Sequence, residues 1–234
     1  MRRIVAAAVM ISLAALACGG DTTPTIAPQV EAILAESAAE MGDVETVRFT
    51  LERGGAPVFI DDLETIAFES AEGRYAAPGR ADAVVQVTVV GLSMQIGAVA
   101  VDGETWITNP ITGRYEPAPG GYAFDPATLF DPTVGLPVLL SGELADPELV
   151  GLEERDDGER YHVTGNAPAE RVEVITASMV RDQDVTLELW VDPVTGDLTE
   201  AAFATVHGGE ESTWRLTFFE YGAEVVIDPP ELDG

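Results

Sequence analysis

The sequence predicts a single α+β domain, in which short antiparallel strands form most of the structure and helices occur only at the start and in the middle. Two observations support this class. One segment near the start has its apolar residues at helical spacing, and apolar residues then alternate with polar ones through about ten short runs separated by turn residues. Apolar residues make up 46% and charged residues 23% of the 234 residues, a balance typical of a globular protein.

The first predicted element is an amphipathic helix between Thr25 and Met41. Pro28 is suited to its first turn, and Gly42 is a natural end. The apolar stripe of this helix consists of Ile26, Val30, Ile33, Leu34, Ser37 and Met41. The helix is therefore expected to pack one face against the rest of the domain.

A first series of strands follows the helix. Val47, Phe49 and Leu51 alternate with polar residues, which places the three on one face of a strand. Runs of the same kind follow at residues 65–71, 83–90, 93–101 and 105–109. The pair Asp102 and Gly103 is the strongest hairpin signal in the chain, because glycine readily adopts the positive φ that a primed turn requires.

The segment between Pro117 and Pro147 breaks the strand pattern and predicts one or two short helices. Its two Asp-Pro pairs suit helix starts, and Gly142 is a natural end. Gly135 and Pro137 favour a second helix that is short or kinked. Apolar residues occur on nearly every side of the segment, so we expect it to be buried on more than one side or to face an apolar ligand.

A second series of strands is predicted after the central segment. Its runs are residues 149–154, 160–165, 185–192, 198–207, 212–221 and 225–227, with a short helix within residues 167–176. No repeat and no linker divides the chain after its N-terminal segment. We therefore predict one domain over residues 28–232.

The net charge of the chain restricts its partners. Twelve basic residues, all arginine, stand against 41 acidic ones, which gives a formal charge of −29. Loss of Arg2 and Arg3 with a leader would make the charge −31. Nucleic acid is excluded as a partner on this basis, and anionic head groups would be repelled. Contact with a bilayer is expected through a lipid anchor and an apolar rim, because the chain has no basic patch to offer.

The first 18 residues resemble the export signal of bacterial lipoproteins. Arg2 and Arg3 precede an apolar run that ends at Leu16, and Cys18, the single cysteine, stands where the mature protein would begin. The pattern departs from the usual lipobox at Ala15, where leucine is customary. The resemblance implies a signal peptide over residues 1–17, a lipidated Cys18 carrying palmitate or a similar acyl chain, and a tether over residues 18–27. The alternative is a plain secretory signal with a chance cysteine.

The order of elements and several phrases resemble the LppX/LprAFG family of lipid-binding bacterial lipoproteins. The phrases are V-D-G-E-T-W-I-T-N-P, F-D-P-T-V-G-L-P-V-L-L-S-G-E-L, L-W-V-D-P-V-T-G-D-L-T-E-A and W-R-L-T-F-F-E-Y-G, within a likeness that runs from about Val30 to Pro230. The resemblance implies a strongly curved antiparallel sheet, a half-barrel, whose concave face is covered by helices around an apolar cavity. It also implies a protein on the extracytoplasmic face of the cell membrane that binds the acyl chains of a lipid or lipoglycan and carries them across the envelope. A membrane transporter is a further candidate partner.

The candidate cavity lining is drawn from two strands and the central segment. The residues are Val85, Val87, Val89, Met94, Ile96, Val134, Leu136, Val138, Leu139 and Leu140. The same alternation is expected of an ordinary filled core. The second functional hypothesis is accordingly a passive, lipid-anchored envelope protein with a filled core that binds a protein partner.

Enzymatic and metal sites find little support in the sequence. His162 and His207 lie on predicted strands without a nucleophile motif nearby. The acids Asp61, Asp62 and Glu64 are interpreted as a solvated turn, and neither this cluster nor the D-P-V-T-G-D turn has the ligand spacing of an EF-hand. We therefore expect no enzyme, no metal and no cofactor, only a covalent lipid on Cys18 and a bound lipid as ligand.

Overall fold

The structure is a computed structural model that describes residues 29–61, 63–109, 111–118 and 125–232. Most of these residues belong to one large antiparallel sheet with few helices, so the predicted α+β class is confirmed. The predicted signal peptide, Cys18 and the whole predicted tether lie outside the described residues. The leader, the anchor and the domain limits therefore stay predictions.

Four helical elements are present in the described ranges. They are α1 (Val30–Asp43), a 3₁₀ helix (Pro126–Phe130), the short α2 (Leu136–Val138), which continues as a wide π turn (Leu139–Glu143), and α3 (Ala169–Ile175). We call residues 126–143 the covering segment. The predicted opening helix is confirmed from Val30 onward, and residues 25–28, where it was predicted to begin, lie outside the described residues. The predicted short central helices are confirmed. None of the helices described here has the length and apolarity needed to cross a bilayer.

Twelve strands are described. They are β1 (Thr46–Gly55), β2 (Val58–Phe59), β3 (Ile66–Ala76), β4 (Arg80–Val89), β5 (Leu92–Val101), β6 (Glu104–Thr108), β7 (Tyr115–Pro117), β8 (Ala145–Arg155), β9 (Gly158–Ala167), β10 (Val185–Val191), β11 (Leu198–His207) and β12 (Glu210–Phe219). The sheet order is β7-β6-β5-β4-β3-β1-β12-β11-β10-β9-β8, and β2 also pairs with β3. Pairing of β1 with β12 joins the two predicted series into one sheet, which does not close because β7 and β8 remain its edges.

The predicted strand over residues 225–227 is wrong. Both edges of β12 are already paired, with β1 on one side and β11 on the other, so no edge is free for the chain that follows it. The segment instead packs on the sheet through Ile227, which is buried beside Val99 and Trp106. Its carbonyl oxygen accepts a hydrogen bond of 3.1 Å from Arg80 Nη1. Strands β2 and β7 were not predicted, because two or three residues are too few to show an alternation.

The helices and the apolar side chains of the strands form one core on one side of the sheet, which we call the inner face. Val47, Phe49 and Leu51 of β1 belong to this core, as the alternation predicts. From α1 it includes Ile33, Leu34 and Met41. The opposite side, the outer face, carries most of the ion pairs and the smaller cluster around Ile227.

The two turns that flank β5 have the same backbone conformation but different residues. The predicted hairpin is confirmed, and the φ values of Asp102 and Gly103, 53° and 85°, are those of a type I′ turn. At the other end of β5, Val90 and Gly91 have φ values of 49° and 78°. A left-handed conformation costs an ordinary L-residue roughly 1–2 kcal/mol, and it is rarest for β-branched residues such as valine.

Candidate functional site

The candidate site is the apolar layer between the inner face and the helices. Val85 and Val87 of β4 are buried there, at 7% and 1% exposure. Their cross-strand partners are Ile96 and Met94, which are half-buried and packed against the same core, as is Val89. The five strand residues predicted to contact a lipid therefore lie on one continuous surface.

The covering segment supplies the opposite side of this layer. Leu136, Leu139 and Leu140 are buried in the same core. Val138 is only half-buried, and Val134 is 37% exposed, so these two predicted residues lie outside the buried cluster. Gly135 fits closely against the backbone carbonyl oxygen of Leu129, which leaves no space for a side chain. The structure thus brings eight of the ten predicted residues together, while the cavity itself and its lining stay predictions.

An aromatic cluster that the sequence analysis missed fastens the covering segment to the middle of the sheet. Phe130 is 3% exposed and stacks on Tyr75, with ring centroids 4.1 Å apart. The rings of Phe49 and Phe218 lie 5.9 and 6.0 Å from it. These partners come from β3, β1 and β12, so one side chain connects the covering segment to three strands.

A second aromatic group lies further along the inner face. Trp214 is 1% exposed and stacks between Phe68 and Phe203 at 5.7 and 5.9 Å. Its indole Nε1 donates a hydrogen bond of 2.9 Å to the hydroxyl of Thr205, which is also buried. The one polar atom of this large side chain is therefore satisfied, as burial requires.

An ion pair connects two elements that cover the inner face. The guanidinium of Arg171, on α3, donates to both carboxylate oxygens of Glu143, at 3.0 Å from Nη2 to Oε1. Its Nη1 also donates to the carbonyl oxygen of Val134 at 3.1 Å. This hydrogen bonding lowers the pKa of Glu143 below its ordinary 4.5 and raises that of Arg171. We call this contact the latch, because it holds both ends of α2 and its π turn against α3.

Acid is expected to release the latch. Because the pKa of Glu143 is lowered by folding, its contribution to stability is complete above about pH 4.5 and is lost as the pH falls through the folded-state value. Amide hydrogen exchange over residues 134–144 should therefore accelerate below pH 4.5 relative to residues in β1. In the Glu143→Gln variant, exchange should already be fast at neutral pH and should change little with acid. Equal protection of residues 134–144 in the two proteins at neutral pH would show that the latch holds nothing.

A small depression of about 300 Å³ opens at one end of the inner layer. Phe59 and Glu64, near the β2–β3 turn, line one side, and Met179 and Val180, after α3, line the other. Val206 at the end of β11 completes the wall. The volume is at the lower limit of small-molecule pockets, and the position beside Met179, which packs on the core, makes it a candidate entrance.

A larger groove of about 650 Å³ lies on the outer face. Its floor consists of small residues such as Gly54, Ala202 and Ala204, and Glu52 and Arg215 line its sides. Acyl chains bind in apolar, largely enclosed surroundings, and this groove offers a charged rim on an open sheet surface. It is therefore not the candidate lipid site.

His162 and Asp61, which the sequence analysis considered as candidate catalytic or metal-binding residues, make contacts within the fold. His162 lies on the outer face, where its Nδ1 is 2.7 Å from Glu153 and its ring stacks on Trp190. Trp190 Nε1 also donates to Glu153, and these hydrogen bonds lower the pKa of that carboxyl group. Asp61 accepts hydrogen bonds from the backbone N–H groups of Thr65 and Ile66 and so stabilises a turn. Within the described ranges, no three His, Cys, Asp or Glu residues form a group that could hold a metal ion.

Comparison with known proteins agrees with this architecture. Over 235 aligned residues the chain is 24% identical to the lipoarabinomannan carrier protein LprG of Mycobacterium tuberculosis (strain H37Rv), covering 99% of this chain and 96% of LprG. LprG of Mycobacterium bovis (strain AF2122/97) matches equally well.

Two solved structures share the fold. The crystal structure of LprF from Mycobacterium bovis superimposes with a TM-score of 0.64 at 18% identity, covering 87% of this chain and 98% of LprF. The structure of the Mycobacterium tuberculosis lipoprotein LppX superimposes with a TM-score of 0.59 at 15% identity, covering 85% and 98% of the two chains. The family model of the LppX_LprAFG lipoproteins matches residues 29–227, and this is a family of lipid-binding carriers, not of enzymes. The chain belongs to the LppX_LprAFG lipoprotein family.

Proposed function

We propose that this protein is a membrane-anchored lipoprotein that binds the acyl chains of a lipid or lipoglycan between its inner face and the covering segment, and carries them across the cell envelope. The observation that carries the proposal is the continuous apolar core to which Val87 and Met94 of the sheet and Leu136 and Leu139 of the covering segment all contribute. Family membership and the carrier named among its relatives support the same function.

Physical chemistry explains why such a layer suits a lipid carrier. A lipid with two acyl chains exposes on the order of thirty methylene groups to water, at ~0.8 kcal/mol each, so the barrier to crossing an aqueous space is roughly 20 kcal/mol or more. A protein that encloses the chains removes most of this barrier. The covering segment suits the task, because a 3₁₀ helix, one turn of α-helix and a π turn interrupted at Gly142 form few regular helical hydrogen bonds.

The proposed anchor is the acylated Cys18. The described domain begins at Gln29, so the ten residues 19–28 separate the anchor from it. Two or three acyl chains on one cysteine give firm membrane attachment, whereas a single chain binds only marginally. The proposed location is accordingly the extracytoplasmic face of the cell membrane.

The anchor has a simple test. Cells that express the protein and are fed radiolabelled palmitate should incorporate label into the unchanged chain and into none of the Cys18→Ser variant. The variant should also leave the membrane fraction, because the tether then ends without a lipid. Label retained by the variant would mean that Cys18 is not the acylated residue.

Binding of acyl chains is tested separately, with the secreted Cys18→Ser variant. A fluorescent fatty-acyl probe should bind with a stoichiometry of one lipid per protein and gain fluorescence in the apolar layer. Displacement by unlabelled lipid should reverse the gain. If the purified protein carries no lipid and takes up no probe, the passive partner-binding protein with a filled core becomes the better account.

A further inference from the structure

Exposed apolar side chains lie in or beside three turns at one end of the sheet. These turns join β2 to β3, β4 to β5 and β11 to β12. The register places the first two side by side, because Val89 lies opposite both Ile66 and Leu92. We call this end the apolar end. Its exposed residues and their exposures are Leu63 at 82%, Val90 at 88%, Leu92 at 69% and Val206 at 52%. They lie on or beside β3, β4, β5 and β11, within a run of six adjacent strands that spans about 24 Å.

The turns at the opposite end of the sheet have a different character. Those after β5, β8 and β12 carry the exposed acids Asp102, Asp156, Asp157 and Glu220. Val194, in the turn after β10, is 86% exposed, and Val226, in the segment after β12, is 65% exposed. The turns of the first end therefore present mainly apolar side chains and those of the second mainly acids, and an exposed apolar surface of this kind marks contact with an apolar partner.

Val90 gives an independent reason to seek a partner. Its φ of 49° is unfavourable for a β-branched residue, and the equivalent position at the other end of β5 is the well-suited Asp102. At 88% exposure the side chain of Val90 adds nothing to the core. Neither the conformation of its turn nor packing therefore accounts for a valine at position 90.

We propose that the apolar end docks on a lipid bilayer and inserts Leu63, Val90 and Leu92 among the head groups. These three side chains lie in or beside separate turns and are interspersed with acids such as Glu64 and Glu210. A fluid lipid surface suits this arrangement, because lipid molecules can adjust around each side chain, whereas a protein partner would need a separate pocket for each. The strongly negative charge of the chain favours a zwitterionic surface.

Two further features agree with docking at this end. The candidate entrance lined by Phe59, Met179 and Val206 opens there, so docking would place it at the membrane. The ten residues between Cys18 and Gln29 let the two Cα atoms lie at most about 40 Å apart, more than the ~33 Å length of a ten-residue strand. An anchored molecule can therefore turn its apolar end to the bilayer. Docking of the apolar end is a property separate from the proposed carrier function, and it does not require a bound lipid.

The insertion depth of two labelled positions tests the proposal. The full processed protein is incorporated into phosphatidylcholine vesicles that contain a nitroxide-labelled lipid, after Val90→Cys or Val194→Cys has been labelled with an environment-sensitive fluorophore. The unsubstituted chain serves as the blank for labelling of Cys18. We expect quenching at position 90 to exceed that at position 194 by at least about twofold, because only the apolar end enters the lipid. Equal quenching at the two positions would overturn the proposal.

A substitution that improves the turn separates docking from folding. Val90→Asn restores the favoured Asn-Gly type I′ turn, so its melting temperature should be equal to or higher than that of the unchanged protein. Combined with Leu63→Ser, it should slow transfer of a fluorescent acyl lipid between vesicles by roughly tenfold, while Val194→Asn leaves the rate unchanged. An unchanged transfer rate in the double variant would contradict docking. If neither the unchanged protein nor any variant takes up the probe, the result counts against the carrier function and not against docking.

Discussion

Val87→Asp is expected to abolish acyl-chain binding. Val87 is 1% exposed in β4, and its side chain belongs to the same apolar core as the leucines of the covering segment. An aspartate there would place a carboxylate in apolar surroundings, at a free-energy cost of several kcal/mol, and would present a charge to any acyl chain. Leu139→Asp, from the other side of the layer, should have the same effect. The measurement is the stoichiometry of acyl-probe binding by the secreted protein.

Strand β4 provides a matched control for Val87. Val84 lies three residues away on the same strand, but its side chain points to the outer face and is 45% exposed. Val84→Asp should therefore bind the probe like the unchanged protein. Val87→Thr keeps nearly the same volume and replaces one methyl group with a hydroxyl group. It is the variant to measure if Val87→Asp does not fold. Normal loading of folded Val87→Asp would remove this residue from the lining.

The largest expected loss of stability follows Phe130→Ala. The ring is 3% exposed and contacts Phe49, Tyr75 and Phe218 on three different strands. Removing a buried phenylalanine costs ~3–5 kcal/mol, a large part of the 5–15 kcal/mol that stabilises a typical domain. The midpoint of urea denaturation should fall accordingly. The covering segment should also lose its protection from hydrogen exchange before β1 and β12 do.

Two milder substitutions show whether Phe130 acts through its ring. Phe130→Leu keeps most of the buried volume and should lose clearly less stability than Phe130→Ala. Tyr75→Phe keeps the stacked ring and removes only the hydroxyl group, so the covering segment should remain protected. A change below about 1 kcal/mol in Phe130→Ala would mean that the segment is held chiefly by other contacts, such as the latch.

Local patterns explain how much of the fold was predictable. The alternation of Val185, Leu187 and Leu189 specifies β10 because every second side chain is buried, and the predicted and observed bounds of β11 are identical. Such a pattern predicts which side chains of a strand are buried, but it does not predict which strands pair with it in the sheet. The position of Ile227 depends on β12 having no free edge, a property of the whole sheet that no short segment contains.

The same limit applies to the candidate site. Val85 and Val87 were predicted because their period is local, and the leucines of the covering segment because the segment is apolar on all sides. Phe130 and Arg171 were missed because their partners, such as Phe218 and Glu143, are distant in the chain. Val134 was grouped with the leucines. It is instead exposed before the turn that Gly135 makes against Leu129.

Native mass spectrometry of the secreted Cys18→Ser variant, followed by extraction and lipid analysis, tests the central claim most directly. The protein is produced in a host that supplies lipids and is purified without detergent. A carrier should appear as a one-to-one complex with an acylated lipid, and the complex should be lost in Val87→Asp and kept in Val84→Asp. A protein that is free of lipid in every preparation, and that stays free after incubation with acylated lipids, would contradict the carrier function.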